Sequence, residues 1–320
     1  MTDKPPCVTD AVAAPGISMS RSTPPVVAVL LASHNGALWL EEQLQSIVGQ
    51  VGVGTMLTVS DDASTDGTLQ ILSRWQGRLS LQVLPPSSTP MGSANRNFLR
   101  LIRDAPVADA GYVALADQDD IWKPAKLSRA VEAIEGMALD AYSSNVLAFW
   151  ADGRRRVLWK SQAARRFDHL FESAGPGCTF VLRRAAFDRL RDWVTRHFHS
   201  LQEIKVHDWL IYALARSRDW NWYIDPWPSV LYRQHAHNEI GANVGARAAI
   251  RRLRHSRDGT YRSDVLAVAR AVGDTSWVVE AMSRNAFADR LRLMMNVRQL
   301  RRRPRDRWAM LAVLVLMGRT

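Results

Sequence analysis

The chain has 320 residues, enough for one large domain or two modest ones, and its 47% hydrophobic and 23% charged content excludes a fibrous or wholly disordered protein. Charge is the outlier: 42 Lys and Arg stand against 31 Asp and Glu, a net +11 that invites a polyanionic partner such as nucleic acid or an anionic membrane. The whole excess falls after Ala246, where 17 Arg face 6 acids, while the residues before it carry 25 of each sign. Two cysteines, Cys7 and Cys178, exclude a disulfide scaffold and a four-ligand Cys/His zinc site, and suit a reducing, cytoplasmic compartment. Residues 1–24 are rich in Pro, Ser, Thr and Ala without an apolar h-region, which predicts a disordered tail rather than a signal peptide. The apolar run Trp308 to Met317 is ten residues long, about half of the ~20 that a spanning helix needs.

In chain order, Val26 to Ala32 reads as a strand buried on both faces, followed by Asn35-Gly36 and a helix with Leu40, Leu44, Ile47, Val48 and Val51 on one side. Met56 to Val59 is a second strand running into the polar loop Ser60 to Gly67, and Thr68 to Trp75 a second helix. Leu79 to Leu84 and Tyr112 to Ala116 are the third and fourth strands, separated by a helix over Ala94 to Arg103. Pro124 opens the helix that carries Leu127, Val131 and Ile134. Successive βα units predict a mostly parallel central sheet flanked by helices. Beyond it, Ala141 to Trp150 pairs with Val157 to Trp159 around Asp152-Gly153, and Thr179 to Leu182, Trp222 to Ile224 and Val230 to Tyr232 are short strands. A helix begins at His207-Asp208, and Arg247 to Arg307 reads as helical.

Ligands of an open parallel sheet bind beyond the carboxyl ends of its strands. There the chain carries Asp61-Asp62 and then Asp117-Gln118-Asp119-Asp120. Adjacent carboxylates repel unless a cation or donor intervenes, and a hard divalent ion with substrate phosphates supplies that. Alternatively, aspartates gather in turns because they bond nearby backbone.

The segments Val29 to Asn35, Ser60 to Thr68 and Ala114 to Trp122, with His207-Asp208-Trp209 and Tyr232-Arg233-Gln234-His235, together resemble the inverting family 2 glycosyltransferases of GT-A, Rossmann-like fold, in particular the bacterial rhamnosyltransferase-like members. The resemblance spans Pro25 to Ala246, making residues 25–246 the expected catalytic domain and 247–320 an Arg-rich helical addition. It implies a dTDP- or UDP-sugar donor in a pocket that includes Ala32, Ser33, Asn35, Asp62, Asp117 and Gln118, with Asp62 on the base N–H. Asp117 and Asp119 occupy the DxD-type signature, Asp119 binding Mg2+ or Mn2+, with His235 as a further metal or diphosphate contact and Arg233 nearby. His237 lies two residues on, so only one of the two histidines would face the site. Asp208 matches the family's general base, although an aspartate there can equally cap its helix. Arg96 and Asn97 read first as solvated helix residues, with contact to the diphosphate or donor sugar as the alternative; Gly177, Cys178 and Trp209 would approach the acceptor, or else the glycines simply make a turn and the tryptophan packs in the core.

The Gln-x-x-Arg-Trp motif and multiple spans of processive members are missing, which favours single addition to a glycan or lipid-linked glycan in surface polysaccharide synthesis. Rival readings are a sugar-phosphate nucleotidyltransferase, which would want a Gly- and Arg-rich loop after the first strand, and a catalytically silent binding relative. For the basic region, Arg251-Arg252-Leu253-Arg254 and Arg301-Arg302-Arg303-Pro304-Arg305 would hold anionic headgroups, with Trp308 to Met317 dipping into the interface. The other reading packs that run in the core. No nucleic-acid module is recognisable.

Overall fold

A computed structural model of the chain describes residues 23–87, 89–235 and 259–317. Strands β1 (Val26–Ser33), β2 (Gly54–Asp61), β3 (Leu81–Val83) and β4 (Tyr112–Asp117) form a parallel half-sheet in the order β3-β2-β1-β4. Helices α1 (Leu40–Val48), α2 (Thr68–Trp75) and α3 (Ala94–Asp104) make the crossovers. β1 shows why its apolar run is continuous: Ala28, Leu30 and Ala32 pack with Phe98 and Ile102 of α3, while Val27, Val29 and Leu31 pack with Leu40, Leu44 and Leu72 of α1 and α2. α3 starts at Ser93, whose Oγ accepts the Arg96 N–H at 3.3 Å.

The sheet continues as β8-β6-β9-β5, with β7 beside β6, to nine strands. β5 (Ile121–Trp122) precedes α4 (Lys126–Gly136); β6 (Ala141–Trp150) and β7 (Arg155–Leu158) form the hairpin expected at Asp152-Gly153. β8 (Val181–Arg183) runs antiparallel to β4 and leads into α5 (Arg184–Leu201), and α6 (His207–Ser217) leads to β9 (Trp222–Gln234), parallel to β6.

The sequence-based elements need several corrections. Thr179 belongs to a 3-10 turn over Gly177–Thr179, and the strand starts only at Val181. The two short strands predicted around Pro226 and Pro228 are one strand; the register jumps between Ser144 and Val146, so the prolines sit at a bulge where no ladder N–H is needed. Leu79 to Leu84 shortens to three paired residues, and Val48 and Val51 lie exposed where α1 ends at Gly49.

Helices α7 (Thr260–Val272), α8 (Trp277–Arg284), α9 (Phe287–Met295), α10 (Val297–Leu300) and α11 (Pro304–Leu316) pack around Phe167, Leu170 and Phe171. The boundary expected at 246/247, the tail at 1–22, His237 and Arg251 to Arg254 lie outside the described residues. Of the 301–305 cluster expected at headgroups, Arg301 and Arg302 turn inward while Arg305 stays exposed. Arg302 is among the largest fully buried side chains; its Nε lies 3.5 Å from both Asp168 and Glu172, and its guanidinium also donates to the Ser173 carbonyl. Arg301 donates to the Phe171 carbonyl, and Arg307 turns back onto the carbonyls of Arg301 and Arg302. Of Trp308 to Met317, Met310, Leu314 and Met317 enter the core, whereas Trp308 is 75% exposed. Removing one partner of a buried ion pair strands the other charge. Arg302→Met should therefore lower unfolding stability by about 3 kcal/mol in urea titrations, and a loss below about 1 kcal/mol would show the network to be dispensable.

Candidate active site

The chain passes from β1 to β2 on one side and returns to β4 on the other, so a crevice opens at the carboxyl end of β1. Register lays the predicted motifs side by side there: Ser33 pairs with Asp61, and Ala32 with both Ser60 and Asp117. Helix α3 fastens this end of the sheet through buried Asn97, whose Nδ2 donates to the carbonyls of Ser60 (2.8 Å) and Ser33 (3.4 Å). Asn97 is therefore a structural tie rather than a diphosphate contact. Arg96, exposed, donates to the carbonyls of Gln202 and Met91 and so bridges the α3 start to the α5–α6 loop.

The loop after β1 is locked by its neighbours. Asn35, at φ 48°, donates its N–H to Ser64 Oγ at 2.8 Å and accepts the Thr65 N–H at 2.8 Å. Gln118 clasps His34 at two points, accepting its N–H and donating to its carbonyl, each at 2.9 Å. Gly36 makes that clasp possible, since a Cβ there would lie 2.2 Å from Gln118 Oε1. Asp61 and Asp66 are consumed within the loop: Asp61 accepts from Ser33 and Ser64, Asp66 from Thr68 and Ala37. Asp62 differs. Its buried carboxylate accepts the backbone N–H groups of Met91 and Gly92, one on each oxygen, which orients it while each oxygen keeps a second acceptor direction.

Beyond β4, the carboxylates separate by depth. Asp119 Oδ2 meets His235 Nε2 at 2.6 Å, and Trp39 stacks on the His235 ring at 4.0 Å. Arg233 braces this loop, donating Nε–H to the Asp119 carbonyl at 2.9 Å and pairing with Glu42. Asp120 points inward instead: it is fully buried, accepts the Arg233 N–H at 3.2 Å, and burial together with Asp119 and Asp117 pushes its carboxyl well up. Ligand atoms of Asp117, Asp120 and Cys178 lie within 4.8 Å of one another. Cys178 therefore faces this interior cluster and not an acceptor, and burial raises its thiol. Behind it Lys126 is fully buried, its Nζ 3.4 Å from the Trp122 ring centroid, and burial pulls it down to about 7. Asp119 and His235, in contact with each other, offer one carboxylate oxygen and one imidazole nitrogen to a divalent ion.

Asp208 lies in the first turn of α6, and its carboxylate accepts the Gly177 N–H. Burial pushes its carboxyl up to about 6, opposed by Lys160 and by the N–H groups of Trp209 and Gly177, and Oδ1 has no hydrogen-bond partner. Gly177 approaches so closely that a Cβ would lie 2.3 Å from His207 Nε2; the His207 ring stacks on Phe98 at 4.0 Å, and burial drops it to about 3. Trp209 is a packing residue: its Nε1–H donates to the His169 carbonyl at 2.8 Å. Reasoning from sequence missed Gln43 and Lys126. Gln43, fully buried, donates to the Asp117 carbonyl at 2.9 Å; its signal was an amide on the apolar face of α1 between Leu40 and Leu44.

The crevice lies at a topological switch point edged by the carboxylates that follow β2 and β4, and residues 28–191 match the model of Glycosyl transferase family 2. The chain belongs to that family and is a glycosyltransferase of GT-A fold. It is 37% identical over 287 residues to the dTDP-rhamnosyl transferase RfbG of Shigella flexneri, covering 89% of this chain and 99% of the relative. It is also 26% identical over 143 residues to the succinoglycan biosynthesis protein ExoO of Rhizobium meliloti, 44% of this chain and 39% of that one. Among solved structures, S. aureus TarS 1-349 superposes with a TM-score of 0.56 at 15% identity, covering 91% of this chain and 89% of that one, a likeness of fold.

Proposed function

We propose that the protein transfers rhamnose from dTDP-rhamnose to a hydroxyl of a glycan or lipid-linked glycan, in one displacement with inversion. The full-length similarity to a dTDP-rhamnosyl transferase carries this reading, and the strand register with the Asp62 N–H bond to the Ser33 carbonyl, which gather Ser33, Asp62 and Asp117 at one crevice, supports it. Asp62 accepts the imide N–H of the base, beside the Ala32 to Asn35 turn. Asp117 faces the ribose or the metal, and Asp119 with His235 would hold Mg2+ or Mn2+. Such an ion, when bound, stabilises charge on the departing nucleoside diphosphate without proton transfer. Asp208 takes the proton of the acceptor hydroxyl as its oxygen attacks the anomeric carbon from the face opposite the diphosphate.

Thermal unfolding with Mn2+ and a panel of nucleotide sugars tests the donor, because a ligand that binds the native state raises apparent stability. The greatest upward shift should come from dTDP-rhamnose; a greater one from a UDP-hexose overturns the choice.

We further propose that the C-terminal helices touch an anionic membrane surface from the cytoplasmic side. No helix among the described residues is long and apolar enough to cross one. Trp308, expected at the interface, is exposed on α11, and Phe287, Leu291 and Met295 add an i, i+4, i+8 stripe 74%, 46% and 71% exposed on α9. Exposed Arg292, Arg298 and Arg305 supply positive charge nearby. Phe287→Asp combined with Met295→Asp should reduce co-sedimentation with phosphatidylglycerol vesicles at low salt; undiminished sedimentation would reject this surface.

A further inference from the structure

Lys160 is a cation that none of these roles uses. It follows β7, and its backbone N–H donates to Asn145 Oδ1 at 2.6 Å, an oxygen that also takes the Ser161 N–H at 3.1 Å. Asn145 is itself fully buried at the β6 bulge, and its Nδ2 donates to the Pro226 carbonyl at 2.8 Å. The main chain at 160 is thus held by a side chain with no freedom of its own. The lysine stem lies against Gly175, where a Cβ would be 3.8 Å from Lys160 Cγ. Two residues further, the Gly177 N–H donates to the Asp208 carboxylate. Lys160 and Asp208 therefore flank the same short loop, and each favours the charged form of the other.

Two carboxylates favour this ammonium, Glu172 first and Asp208 after it. Among the described residues Lys160 has no ion pair, and Glu172, the other carboxylate that favours its charge, is engaged by the backbone N–H of Arg302 at 2.7 Å and by its guanidinium. Arg301 and Arg302 oppose the lysine's charge, as does burial. Around Asp208, His207 is held neutral by burial and adds no charge, and Tyr261, which faces Arg301 and Glu172, is pushed up to about 12.

We propose that Lys160 is a positioning residue for sugar transfer: its ammonium, held across the Gly175 to Gly177 loop, keeps the Asp208 carboxylate anionic and ready to accept the acceptor's proton. This rests on Asp208 being the base. The proton moves from acceptor hydroxyl to Asp208; Lys160 neither gains nor loses one. The decisive measurement is the pH profile of kcat/KM. In the wild type the acid limb should fall near pH 6, where the carboxyl titrates. Lys160→Met should move that limb up by about one unit, roughly tenfold in rate on the acid side, with rates converging above it. Lys160→Arg should restore the limb, since a guanidinium stays charged. Donor-induced thermal shifts report whether each variant folds and binds donor, with Lys160→Gln as a second neutral variant. An unmoved limb in a folded neutral variant overturns the proposal. If Asp208→Asn still transfers normally, the base assignment fails instead, so the two failures are distinguishable.

Discussion

Asp208→Asn is expected to slow sugar transfer about a thousandfold while leaving donor binding intact, the scale of losing a positioned general base. The expectation rests on a carboxylate with one oxygen unpartnered and burial that pushes it up to about 6, close to working pH. A carboxylate fully consumed by its own helix cap would be a weaker base. Rates that stay within tenfold of the wild type would place the base elsewhere. The same burial predicts an opposite effect on stability. The folded-state value lies above the ordinary 3.8, so the stabilisation from holding the proton is complete below about pH 4 and lost as pH rises through about 6. The asparagine variant, neutral throughout, should therefore be more stable than wild type at pH 7.5, by up to about 3 kcal/mol, and should melt at nearly the same temperature at pH 4. Coincident melting at pH 7.5 would mean that the buried charge is compensated.

Asp119→Ala should remove the metal-dependent part of donor binding. Asp119 is the acidic side chain in contact with His235 at 2.6 Å, and Arg233 fixes its main chain. Its loss should weaken binding of a nucleotide sugar at least about 100-fold in the presence of Mn2+, on the scale at which even outer-shell partners of metal ligands act, and EDTA should have no further effect. Calorimetric titration with and without EDTA reads this directly. Equal affinity of wild type and variant under both conditions would reject Asp119 as a ligand. Cys178→Ser is the matching control, since Cys178 faces the buried Asp120 and Lys126 and should leave donor affinity unchanged.

The donor half was legible because its signals are local. β1, β2 and β4 are apolar runs that stop at polar residues, and a parallel sheet forces those stops into one crevice. What stayed hidden depends on distant partners. β5 is two residues whose only reason to be a strand is β9, more than a hundred positions later. α5 went unnoticed behind its arginines, although Ala186, Phe187, Leu190, Trp193 and Val194 recur at helical spacing. Arginine composition misled most at Arg302, because a charge run reads as solvated unless its counter-ions are known, and Asp168 and Glu172 are some 130 positions away.

That distance has an evolutionary corollary. Arg302 sits in the last twenty residues, yet it pairs with acids on the segment just before the Gly175 to Gly177 loop. Neither partner can be exchanged alone without stranding a charge. Among relatives of this chain, positions 168, 172 and 302 should change together or not at all, and lineages that have lost the terminal helices should carry uncharged residues at 168 and 172. The far end of the chain is thereby under the same selection as its catalytic half.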